Sequence, residues 1–172
     1  MAFALSMSDE HHRKLLAHLN ADGDEQAAFL FAFHPAGAER LRVVETYAVP
    51  RHELLEPSPF YLALGDDVRA RVLSRATSLD GCLIEAHNHP HGPAAFSATD
   101  IAGFEEWVPH AHWRLAGRPY VALVFAGEEF DALVWTAANG APEQLDYLDV
   151  AGKALAPTGL TCRRLTRMPH VH

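Results

Sequence analysis

Apolar residues recur along this chain with two periods, and the switches between them outline the elements. In "SDEHHRKLLAHLN" (8–20), Leu15, Leu16 and Leu19 share one side of a helical repeat, and Ser8 stands where a cap belongs. A helix is therefore predicted to about Leu19, broken by "ADGD" (21–24). "EQAAFLFAFH" (25–34) is apolar on both faces of a period-two ladder, as suits a central strand. "PAGAE" turns the chain, and "RLRVVETYAV" (40–49) reads as the returning strand of a hairpin. Pro50, Pro57 and Pro59 punctuate a loop that has the character of a surface insertion. Helical spacing resumes at Val68, Val72 and Leu73 within 66–79. Asp80-Gly81 is then a turn and "CLIEAHNH" (82–89) a strand.

Beyond a loop with Pro90, Gly92 and Pro93, Ile101, Phe104, Trp107 and Val108 mark a helix from Ser97 to about Val108, with Pro109 expected to close it. "RPYVALVFAG" and "EFDALVWTA" form a hairpin around Gly127, with further strands or loops to the end. Strands flanked by two or three helices make this an α/β (α+β) chain. No internal repeat or break in composition divides it, so 1–172 is read as one domain.

Composition narrows the function classes. The 172 residues are 49% apolar, enough for a sizeable core. Fourteen basic residues against 22 acidic ones leave a formal charge of −8, which argues against binding a nucleic-acid backbone. Arg163, Arg164 and Arg167 form one small basic cluster, read as a solvated terminal face. The two cysteines suggest neither a disulfide framework nor a metal pair, and Cys82, in an apolar run, reads as core. The opening residues lack the basic region of a signal peptide, and no apolar stretch is long enough to span a bilayer. A cytoplasmic location without membrane contact is the expectation.

The chemistry concentrates in "EAHNHPHGPAAFSATD" (85–100). On a strand, Glu85, His87 and His89 share one face and Cys82, Ile84 and Ala86 the other. Two imidazoles pointing the same way suit one metal ion, and Asp100, one turn into the following helix, is placed to be a third ligand. Two histidines and a carboxylate leave a fourth position for water, as in a catalytic zinc site. Ser97-x-x-Asp100 also fits a helix cap, and capping and ligation are compatible in the same residues. Glu85 is an alternative general base or an outer support of the ligands. His91 is read as a loop side chain that borders any substrate groove. His110 and His112 mimic the motif without a following Ser-x-x-Asp and are read as a decoy. Glu45, Glu53 and Glu56 lack the context of a buried strand start, and Trp107, Trp113 and Trp135 read as core.

The string His87-Asn88-His89-Pro90-His91-Gly92, with Ser97 and Asp100 at those offsets, resembles the signature of the JAMM (MPN+) zinc metalloproteases, and the prokaryotic branch in particular. "EQAAFLF" supplies the glutamate that the signature requires upstream, Glu25. Ala28 stands where the pattern often has glycine, and Phe96 where it often has proline. The motifs and the order of elements cover about 8–136. The resemblance implies a curved mixed sheet between helices, of the cytidine-deaminase-like kind. It implies one zinc ion held by His87, His89, Asp100 and water, with Glu25 as the base and Ser97 as an oxyanion donor. It further implies cleavage after the C-terminal glycine of a ubiquitin-like protein, maturing a precursor or releasing the modifier from its conjugates. Activating-like and conjugating-like enzymes of the same pathway would be further partners. Two other readings stay open: a non-catalytic MPN-type binding module, and a DNA-associated RadC-like protein, whose site also reads His-Asn-His-Pro.

Overall fold

The apolar run 27–33 becomes the middle of a sheet because it buries side chains on both faces. A computed structural model describes residues 2–35, 37–55 and 63–167. In chain order come β1 (Ala4–Met7), α1 (Asp9–Leu19), β2 (Ala27–Phe33), β3 (Arg40–Ala48), a 3-10 turn (Arg51–Glu53), β4 (Leu54–Leu55), β5 (Ala63–Leu64) and α2 (Asp66–Ser78). They are followed by β6 (Cys82–Asn88), α3 (Ala98–Arg114), β7 (Tyr120–Ala126), β8 (Glu129–Trp135), β9 (Glu143–Gln144), β10 (Tyr147–Val150), β11 (Lys153–Leu155) and α4 (Leu160–Arg167). Among the described residues these build a mixed nine-stranded sheet, ordered β11-β10-β1-β3-β2-β6-β7-β8-β9, and a separate β4-β5 pair. The architecture is mixed α/β, with helices packed on both sides of the large sheet.

β2 pairs antiparallel with β3 on one side and β6 on the other, and β6 runs parallel to β7. That parallel step requires a crossover, which α3 provides. The tight return from β7 to β8 uses Gly127 at φ +61°, where a side chain would be strained. Alternation along the strands separates two apolar layers. Leu30, Ile84 and Leu123 face α1, which contributes Leu15 and Leu19. Phe29, Leu83 and Ala122 lie on the opposite layer, with Val68, Val72 and Leu73 of α2 and Phe104 and Val108 of α3. Ser8 caps α1 by accepting from His11 N at 3.1 Å.

Several expectations change. Pro109 does not close its helix, for α3 continues to Arg114. Proline removes one backbone donor, but Val108, Ala111 and Leu115 around it are all buried, so packing carries the helix onward. β1 and β9 to β11 were not resolved by periodicity, because strands of two to four residues hold too few alternations to show it. Trp135 is buried as expected, but Trp113 is 77% exposed on the outer side of α3. The loop positions Glu56, Pro57 and Pro59 lie outside the described residues. No described helix is long and apolar enough to cross a membrane.

Candidate metal centre

β6 delivers the histidines. With Cys82, Ile84 and Ala86 committed to the α1 layer, Glu85, His87 and His89 must face the other way. His89 lies one residue past the strand, yet its N–H still donates to Phe125 O at 2.8 Å, which holds the direction. The chain then turns through Pro90 and Gly92, buries Phe96 completely, and starts α3. Ser97 Oγ accepts from Asp100 N at 3.1 Å, and Asp100 Oδ2 accepts from Ser97 N at 2.7 Å, a reciprocal capping box. The cap therefore fixes the carboxylate that faces the imidazoles.

His87 Nε2 and His89 Nε2 are 3.2 Å apart. From each imidazole to its nearer Asp100 oxygen the distances are 3.5 Å for His87 and 3.3 Å for His89. A four-coordinate ion with bonds of about 2.0–2.1 Å separates its ligand atoms by about 3.3–3.4 Å. The donor triangle has the size and chemistry for one metal ion. Among the described residues, His87, His89 and Asp100 are the group able to hold one. His89 Nδ1 meets Pro93 O at 3.3 Å, and because a carbonyl only accepts, this ring nitrogen carries a proton and the contact turns Nε2 toward the cluster.

Glu25 arrives by register. Ala27 pairs with His87 across β2 and β6, and continuing that antiparallel register sets Glu25 opposite His89. Asn88 secures the approach, its Oδ1 accepting from Gln26 N at 2.6 Å. Glu25 is buried, with Oε1 3.9 Å from His89 Nε2. Burial raises the Glu25 pKa, opposed by the two imidazoles and reinforced by Asp100. Burial also works against the Asp100 carboxylate, but hydrogen bonds from His87 and His89, the charge of His87 and the Ser97 amide outweigh it and hold the pKa far below the carboxylate range. At His87, burial favours the neutral ring, yet Asp100 and the charges of Glu85 and Glu25 raise its pKa.

The other candidates sort by their partners. Glu85 shares the histidine face but is engaged elsewhere: Tyr120 Oη donates to it at 2.6 Å, and Arg69 Nη1 lies 3.7 Å away. Trp107 Nε1 donates to Tyr120 Oη at 2.8 Å, and Arg69 lies over the Trp107 ring. His112 is buried with Nε2 donating to Trp135 O at 3.0 Å, while His110 sits between the rings of Trp107 and Trp113. Glu45 pairs with Arg75, and Glu53 with Arg71 and Tyr47. Burial pushes the Cys82 thiol up to about 11, consistent with an inert core residue.

A groove of about 310 Å³ opens beside the cluster, lined by Glu25, His89, His91, Ser97, Asp100 and, unexpectedly, Arg164. The terminal basic cluster is thus not wholly a solvated face, because Arg164 Nη2 donates to Phe96 O. Asp131 was missed as well: fully buried, it accepts from the amides of Gly159 and Thr161. The available signal was an acid inside the apolar run "FDALVW".

The model of prokaryotic homologs of the JAB domain matches residues 8–137. A solution structure of a protein from Desulfitobacterium hafniense superposes with a TM-score of 0.54 at 16% identity, covering 87% of this chain and 94% of that one. That likeness concerns the fold. None of the curated proteins compared with the chain matches it.

Proposed function

Because the chain belongs to the prokaryotic homologs of the JAB domain, we propose that it is a zinc-dependent (iso)peptidase that cleaves after the C-terminal glycine of a ubiquitin-like protein. The observation that carries this reading is the convergence of two imidazole nitrogens, a capped carboxylate and a separate buried glutamate beside one groove. A structural zinc site fills its fourth position with a protein ligand, whereas hydrolysis needs that position open to water with a base beside it.

Zinc bound by His87, His89 and Asp100 would supply a water whose pKa falls from about 15.7 to about 7 and would polarise the scissile carbonyl. The protein's part is proton transfer and orientation. Glu25, buried beside the cluster and bordering the groove, takes a proton from the attacking water and returns it to the leaving amine. Ser97 Oγ uses a lone pair on Asp100 N, so its O–H remains available for the oxyanion. Asn88, through Gln26, keeps Glu25 in reach. In this reading the partner is a ubiquitin-like precursor or conjugate in the cytoplasm.

The test begins with metal. Purified protein is expected to hold about one zinc per chain, sharply weakened in Asp100→Ala, and to cut ubiquitin-like fusions after the terminal glycine. Zinc retention equal in parent and variant would remove Asp100 from the ligand set. Zinc-loaded protein that leaves both linear fusions and chemically activated tails intact would leave an MPN-type module.

A further inference from the structure

One residue that lines the groove, Arg164, comes from beyond the matched span 8–137. Asp131, fully buried, accepts from Gly159 N at 3.0 Å and from Thr161 N at 2.9 Å, anchoring the segment that leads into α4. That segment grips the loop before Ser97 at successive points. Thr158 Oγ1 donates to Ala94 O at 2.6 Å, Thr161 Oγ1 accepts from Phe96 N at 2.9 Å, and Arg164 donates to Phe96 O. Arg164 is thereby fixed one residue from the oxyanion serine.

Among the described residues Arg164 has no carboxylate partner; Phe96 O occupies one of its five N–H donors. It is also the permanent cation of a groove whose other charged side chains include Glu25 and Asp100. A carboxylate entering the groove finds in Arg164 a planar fork of N–H donors that matches it. At about 310 Å³ the groove is at the small end of ligand sites, and accepts a chain end rather than a folded surface.

From this placement we infer that Arg164 forms a carboxylate subsite that selects substrates bearing an acid just beyond the scissile amide. The inference rests on the hydrolase reading above: the acyl side ends in glycine, so the acid belongs to the leaving part. That acid is either the free α-carboxylate of a short leaving residue or an acidic side chain in a longer one.

The test uses zinc-loaded Glu25→Gln protein, so that the probes persist, with zinc content measured first. The probes are Gly-Gly-Ala with a free C-terminus, the same peptide as its C-terminal amide, and Gly-Gly-Asp amide, titrated by heteronuclear NMR. The free acid or the Asp peptide should bind about 10-fold more tightly than the neutral amide. Whichever does so identifies the source of the carboxylate. Adding Arg164→Gln should abolish that preference at unchanged zinc content, and Arg164→Lys should keep part of it. Equal binding of all three probes, or no binding of any at millimolar concentration, overturns the subsite. A preference that survives Arg164→Gln overturns it too, because the carboxylate is then held by the metal. Failure of the parent protein to take up zinc would instead sink the hydrolase reading.

Discussion

Glu25 and Glu85 make an instructive pair. Each is 6% exposed, and both lie toward the same two histidines. Glu85 is satisfied: Tyr120 donates to it, Arg69 balances its charge, and Trp107 holds both partners in place. Glu25 has, among the described residues, no such set of partners: its ion-pair contact is His89 Nε2 at 3.9 Å, and it borders a groove. Burial alone therefore does not mark a working acid. A buried carboxylate with its own donors is part of the scaffold, whereas one left without them beside open space is poised to exchange a proton.

Glutamine at each position should separate the two roles, with the largest effect at Glu25. Glu25→Gln is expected to lower fusion cleavage by about 10²–10⁴-fold while zinc content and melting temperature stay close to the parent. Glu85→Gln should leave cleavage within a few-fold but cost about 1–3 kcal/mol in denaturant unfolding, because Arg69 loses its counter-charge. Loss of cleavage in the second variant and not the first would exchange the assignments. Tyr120→Phe sharpens the contrast further. It removes the donor to Glu85 and the acceptor for Trp107 Nε1 inside a fully buried layer, at about 1–2 kcal/mol, without altering zinc content.

This contrast was only partly legible in the sequence. The strand alternation that puts Glu85, His87 and His89 on one face is local, and so is the Ser97–Asp100 cap; both are present in the structure. The register that brings Glu25 opposite His89 depends on which strands become neighbours, and only the family resemblance singled that residue out. Tyr120 and Arg69 hold Glu85 from β7 and α2, contacts that no periodicity encodes. Arg164 was hidden for the same reason. It reaches the groove through Asp131 and Thr161, side chains far from it or from the loop along the chain, and a basic cluster near an end resembles any solvated surface. Short strands at the sheet margins were lost because they hold too few residues for a period to register.

The smallest effect concerns the helix that serves both acids. α3 carries Asp100 in its first turn and Trp107 farther along, so it connects the metal cluster with the support of Glu85. Pro109 lies inside it, two residues after Trp107. If packing of Val108, Ala111 and Leu115 holds the helix through that point, restoring the backbone donor should help without moving anything. Pro109→Ala is therefore expected to stabilise the protein by about 1 kcal/mol, less than the ~3 kcal/mol propensity difference because the surrounding turn has adapted to the ring. For a chain of this size that is a rise of about 2–4 °C in Tm, with zinc content and cleavage unchanged. A fall in Tm accompanied by weaker zinc binding would show the reverse: that the proline sets the path of α3, and with it the angle at which Asp100 meets the histidines.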